Sequence, residues 1–107
     1  MIEESNIVWS LLAYDAYQSI GDEILKRFGY KAKIDYENEV DETVKLLAEF
    51  PNQGKPEFEL AEDGSVRSMT VRKLSKIIYY EEDGILHIAD FWATRQDPNF
   101  LKERFEK

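Results

Sequence analysis

Apolar positions recur at spacings of three and four through Ala13, Tyr17, Ile20, Ile24 and Phe28, and this stripe predicts a first helix. Ser10 stands where an N-cap belongs, and Gly29 where a chain leaving a helix commonly needs positive φ. A second stripe, Tyr36, Val40, Val44 and Leu47, predicts a helix from about Lys31 to Phe50, stopped by Pro51. So short a turn makes the two helices an antiparallel hairpin. Ahead of them, Ile7-Val8-Trp9 reads as an opening strand. Beyond them the period changes. Val66 to Arg72, Ile77 to Tyr80 and Ile85 to Trp92 are β-branched or aromatic runs that predict three strands of a small antiparallel sheet. Asp83-Gly84 between the last two is a strong hairpin signal. Asn52, Gln53, Gly54 and Pro56 break regular structure, while Phe58 and Leu60 alternate with Glu57 and Glu59 as a short edge strand would. Helical spacing between Leu101 and Phe105 predicts a tail that docks on the sheet. The order β-α-α-β-β-β is an α+β fold, and residues 1–107 form one domain.

Composition narrows the class. The chain is 43% hydrophobic and 34% charged, which suits a soluble globular domain and argues against disorder. With no cysteine, disulfides, thiolate catalysis and iron–sulfur clusters are excluded. One histidine and scattered acids make no metal-ligand cluster, so neither metal nor cofactor is expected. Apolar runs fall far short of the roughly 20 residues that span a bilayer, and Met1-Ile2-Glu3-Glu4 does not open a secretory signal, so no membrane association and a cytoplasmic location are expected. The net charge of −8 is uneven: residues 1–65 hold 15 acids against 6 bases, and residues 66–107 hold 7 against 8. Such acidity disfavours non-specific nucleic-acid binding, though the second half softens that objection.

Against this background the strands bring Arg67, Arg72 and Arg95 to one sheet. Their guanidinium forks suit a carboxylate or phosphate partner. Arg67 and Arg72 are five apart and point to opposite faces of a regular strand, so only one can join Arg95. Arg95, beside Asp97, either closes a corner as an ion pair or reaches a target. Tyr79 and Tyr80 point to opposite faces, one toward the core and one outward, where a tyrosine beside Arg67 could stack on a base. His87 shares a face with Ile85 and Ala89 and reads as a surface or core-edge residue. Trp9 and Trp92 read as core.

The ordered set of elements resembles the RelE/ParE superfamily of type II toxins, also called plasmid stabilisation proteins. It rests on Val8-Trp9-Ser10 before the long helix, Phe50-Pro51 to Gly54-Lys55-Pro56 after the second, and then Val66-Arg67 and Ile78-Tyr79-Tyr80. The closing run is Phe91-Trp92-Ala93-Thr94-Arg95-Gln96-Asp97-Pro98. The resemblance implies a toxin neutralised by a cognate antitoxin, assembled as a homodimer or as a toxin–antitoxin hetero-oligomer. Its targets divide by branch: RelE-like members cleave mRNA in the ribosome, and ParE-like members poison DNA gyrase. A nuclease needs a base for the ribose hydroxyl and cations for the phosphorane. Here Arg67, Arg95 and Tyr80 would be its catalytic set, with Lys55 and Lys76 as further cations, yet the terminal His or Tyr of many nuclease members is missing. The resemblance therefore favours a gyrase poison that acts by binding through Arg67, Arg72 and Arg95, with Arg67 at the family position. The alternatives are the ribosome-dependent nuclease and a decayed member that only binds its antitoxin. The acidity of residues 1–65 implies a basic antitoxin segment, lying across the helices and sheet.

Overall fold

The computed structural model of the protein describes residues 6–71 and 75–93. Strand β1 (Ile7–Trp9) passes through Ser10 into helix α1 (Leu11–Phe28), and Gly29, at φ 99°, turns the chain into α2 (Tyr30–Glu49). A 3-10 turn, Pro51–Gln53, leads to β2 (Lys55–Pro56), β3 (Val66–Val71), β4 (Ser75–Glu82) and β5 (Ile85–Ala93). The five strands form one sheet in the order β1-β5-β4-β3-β2. Strands β2 to β5 pair antiparallel in sequence, and β1 closes the far edge parallel to β5, with Val8 opposite His87. The α+β class is as the sequence predicts, and the sheet is mixed. The predicted β4–β5 hairpin is built on a two-residue turn, with Asp83 at φ 55° and Gly84 at φ 77°, the pair of positive angles that matches strand twist.

Both helical stripes face the sheet. Ala13, Ile20, Tyr36 and Leu47 are buried against Val71, Ile77, Tyr79, Leu86, Ile88 and Phe91. Phe28 departs from the expected stripe. It falls one turn beyond Ile24, the last α1 residue in the core, and stands exposed at the hairpin tip beside the equally exposed Tyr30. The edge strand forms earlier than expected, at Lys55–Pro56 opposite Ser68 and Arg67. Once the Glu57 N–H has bonded the Val66 carbonyl, the chain turns through Glu57, whose carbonyl accepts from Leu60 N–H, and leaves Phe58 and Leu60 exposed. Residues 72–74 and 94–107 lie outside the described residues, and with them Arg72, Arg95, Asp97 and the predicted tail helix.

A bulge decides which way the last strand faces. Ile78 opposes Asp90 while its neighbour Tyr79 opposes Ile88, so Ala89 is an extra residue on β5. Strict alternation from Leu86 and Ile88 would bring Asp90 and Trp92 inward. The extra residue puts Phe91 and Ala93 inside instead, and holds Asp90 and Trp92 on the outer face. Trp92 is thus not a core residue. Its Nε1–H donates to Asp90 Oδ2 at 2.9 Å, and the Lys76 ammonium lies 5.8 Å from its ring centre.

Ser10 ties this bulge to the first helix. Its Oγ accepts the Ala13 N–H at 2.9 Å as N-cap and donates to the Ala89 carbonyl at 2.8 Å, while the Ser10 N–H bonds the Ile88 carbonyl. Ser10→Ala removes the cap and strands the bulge carbonyl, with an expected loss of about 1–2 kcal/mol in urea denaturation. A loss indistinguishable from zero would mean that the cap and the bulge are held by other groups.

Candidate functional site

Arg67 lies on the helix-facing side of β3, directly opposite Tyr79 in the ladder. Both side chains reach the Pro51–Gly54 segment. The Tyr79 hydroxyl donates to the Pro51 carbonyl at 2.6 Å and accepts the Gly54 N–H at 2.9 Å. Arg67 Nη1 donates to the carbonyls of Gly54 at 2.7 Å and Asn52 at 3.4 Å. Burial pushes the Tyr79 phenol above its ordinary value of 10.0, opposed by the Gly54 N–H bond and the charge of Arg67. One nitrogen of the fork is therefore spent on backbone. The other two have no partner among the described residues, so the guanidinium is held in place with part of its donor set still available to an anionic group. Gly54 makes this possible, because a Cβ there would fall 2.5 Å from both the Ser68 carbonyl oxygen and the Tyr79 hydroxyl.

The opposite face of the sheet carries a different set. Tyr80 stacks on His87 with ring centres 4.6 Å apart and planes 5° from parallel. Glu57 Oε2 accepts from Ser68 Oγ at 2.6 Å and from Lys76 Nζ at 3.2 Å, and these two bonds, the Ser68 one foremost, hold its carboxyl below the usual range. Because Tyr80 pairs with Val66 and Arg67 with Tyr79, Tyr80 and Arg67 face opposite ways. The structure does not bring them together as a catalytic pair would need. Lys76, another candidate cation, is engaged by Glu57.

A third feature lies on the helical side. A cleft of about 390 Å³ opens between β1, α1 and α2, lined by Trp9, Tyr14 and Tyr17 and by Asp22, Glu37 and Asp41. Trp9 stacks on Phe91 at 5.3 Å, and Tyr17 on Tyr36 at 5.5 Å, so the aromatic floor is anchored in the core. Burial first, then the charges of Glu37, Tyr14 and Asp41, push the Tyr17 phenol up to about 12. A raised acid pKa favours the folded state fully while the unfolded phenol is still protonated. That contribution is lost as pH climbs from about 10 toward 12, and comparing wild type with Tyr17→Phe by thermal melts across this window should show the wild type alone losing it. Parallel curves for the two proteins would show that the phenol contributes nothing.

Comparison with known families settles the affiliation. The family described as "ParE toxin of type II toxin-antitoxin system, parDE" matches residues 7–98, from the first residue of β1 to beyond the end of β5. The chain belongs to the ParE toxin family. A solved structure described as the chromosomal ParDE toxin–antitoxin system from P. aeruginosa shares the fold with this ParE-family chain, at a TM-score of 0.68 and 20% identity. The match covers 84% of this chain and 96% of that one. Comparison with curated proteins gives no significant match.

For this ParE-family protein, then, Arg67 is the one predicted target-binding arginine whose surroundings are described; Arg72 and Arg95 fall outside. Sequence reasoning missed the Arg67–Tyr79–Gly54 clasp and the aromatic cleft. The clasp had one legible sign, a glycine just after the Pro51-Asn52-Gln53 break. The cleft had none, since its walls come from three elements. Among the described residues no helix is long and apolar enough to cross a membrane.

Proposed function

We propose that this chain is the toxin of a type II toxin–antitoxin module in the cytoplasm, held silent by a cognate antitoxin, and that it arrests growth by binding and inhibiting DNA gyrase. The observation that carries this reading is the match to the ParE family along the whole run from β1 to β5. The geometry supports action by binding. Arg67 is fixed on one face with free donors, and the Tyr80 that a nuclease would pair with it faces the other way. Arg67, with Arg72 and Arg95, is the proposed contact set for the target.

Two purified systems test the target. Added to gyrase and supercoiled plasmid with ATP, the protein should produce gyrase-dependent linear DNA, and added to a translation extract it should leave mRNA intact. Codon-specific mRNA cleavage that falls by about 100- to 1,000-fold in Arg67→Ala would overturn the gyrase reading and establish a ribosome-dependent nuclease.

A further inference from the structure

We infer that the cleft between β1, α1 and α2 receives a lysine or arginine side chain from the antitoxin segment bound to this protein, an inference that rests on the toxin–antitoxin reading above. The floor is aromatic, with Trp9 and Tyr17 ring centres 5.3 Å apart and Tyr14 5.9 Å from Tyr17. Aromatic rings attract a cation placed over their faces, and the long apolar stem of a basic side chain packs on the same surface. The rim is acidic. Asp41 is paired with Lys45 at 3.2 Å, Glu37 is held only at 3.9 Å by Lys33, and Asp22 has no basic partner among the described residues. Three carboxylates against two ammonium groups leave the cleft negative. After burial, the charges of Glu37 and Asp41 also oppose ionisation of the Tyr17 hydroxyl, which places both carboxylates within reach of the floor.

A neutral apolar side chain would fill the volume but strip water from these carboxylates with nothing in return. A cation satisfies both floor and rim. The surplus of acid over residues 1–65 extends the same attraction outward and steers a basic segment to this face. The cleft thereby selects for charge where the rest of a partner's contact can be apolar.

The first arm of the test uses N-acetyl-arginine methylamide titrated into the full chain, read on the Trp9 indole and Tyr17 ring resonances. Saturating shifts are expected, weakened roughly tenfold in the Asp22→Asn/Glu37→Gln double variant and absent with neutral N-acetyl-norleucine methylamide. Equal binding of the neutral and charged amides overturns the proposal. The second arm measures, by calorimetry, binding of the antitoxin encoded by the adjacent gene. Affinity should drop roughly tenfold in the double variant and recover in Asp22→Glu/Glu37→Asp, with thermal melts unchanged because the substituted groups are solvent-facing. Equal antitoxin affinity in wild type and double variant, with growth arrest intact, removes the cleft and leaves the toxin reading standing. If the wild type neither arrests growth nor binds that antitoxin, the toxin reading fails, and the antitoxin fails with it as occupant.

Discussion

Gly54→Ala should destabilise the protein by about 3 kcal/mol or more, enough to remove a large share of the 5–15 kcal/mol typical of a folded domain. The added Cβ would meet the Ser68 carbonyl oxygen and the Tyr79 hydroxyl, each at 2.5 Å. One of these is β3 backbone and cannot yield without opening the β2–β3 ladder. The other is a buried phenol held on both sides, donating to Pro51 and accepting from Gly54. Relief by moving Tyr79 breaks both of its bonds and leaves buried polar groups unpaired. Tyr79→Phe in the wild-type background should cost less, about 1–3 kcal/mol, because the ring stays in place. The diagnostic measurement is the double variant. If Gly54→Ala acts by expelling the hydroxyl, its cost should shrink when Tyr79 is already phenylalanine, and strictly additive losses would sink that account.

Phe91→Ala and Trp92→Ala should behave very differently despite being neighbours. Phe91 is fully buried, stacked on Trp9 and edge-on to Tyr17, and truncating it should cost about 3–5 kcal/mol through lost contact and an unfilled cavity. Trp92 lies half-exposed on the outer face with its indole N–H on Asp90, and its truncation should cost about 1 kcal/mol. Chemical denaturation of the two variants decides it. The reverse ranking would mean that the chain pairs β4 with β5 without the extra residue at Ala89.

That pair also shows where the sequence was legible. Helices were readable because their stripes repeat over many turns, and the β4–β5 turn because Asp83-Gly84 leaves few alternatives. Trp92 reads as core because large aromatics dominate burial in a small domain, but the single residue inserted at Ala89 inverts every position after it and turns the indole outward. The awkward sign was Asp90, an acid at an inward position of an otherwise apolar run. Phe28 continues the stripe in sequence yet stands exposed, because helical periodicity does not say where the covering sheet ends. At the site, Arg67 was legible as a fixed cation, but its grip on Gly54 and Asn52 joins residues 13 and 15 positions away that no local pattern connects. The face shared with Tyr79 rather than Tyr80 depended on register, which only pairing reveals.

The parallel pairing of β1 with β5 has a consequence for how the protein is made. Ile7, Val8 and Trp9 are synthesised well before their partners Leu86, His87 and Ile88, which lie 79 positions further along the chain. Contacts so distant along the chain close slowly, and none of them can form while β5 is still inside the ribosome. Until then Trp9 has no Phe91 to lie on, and Ser10 no Ala89 carbonyl. A nonsense or frameshift mutation anywhere before β5 therefore leaves β1 without the strand it pairs with, and the sheet cannot close over the helices.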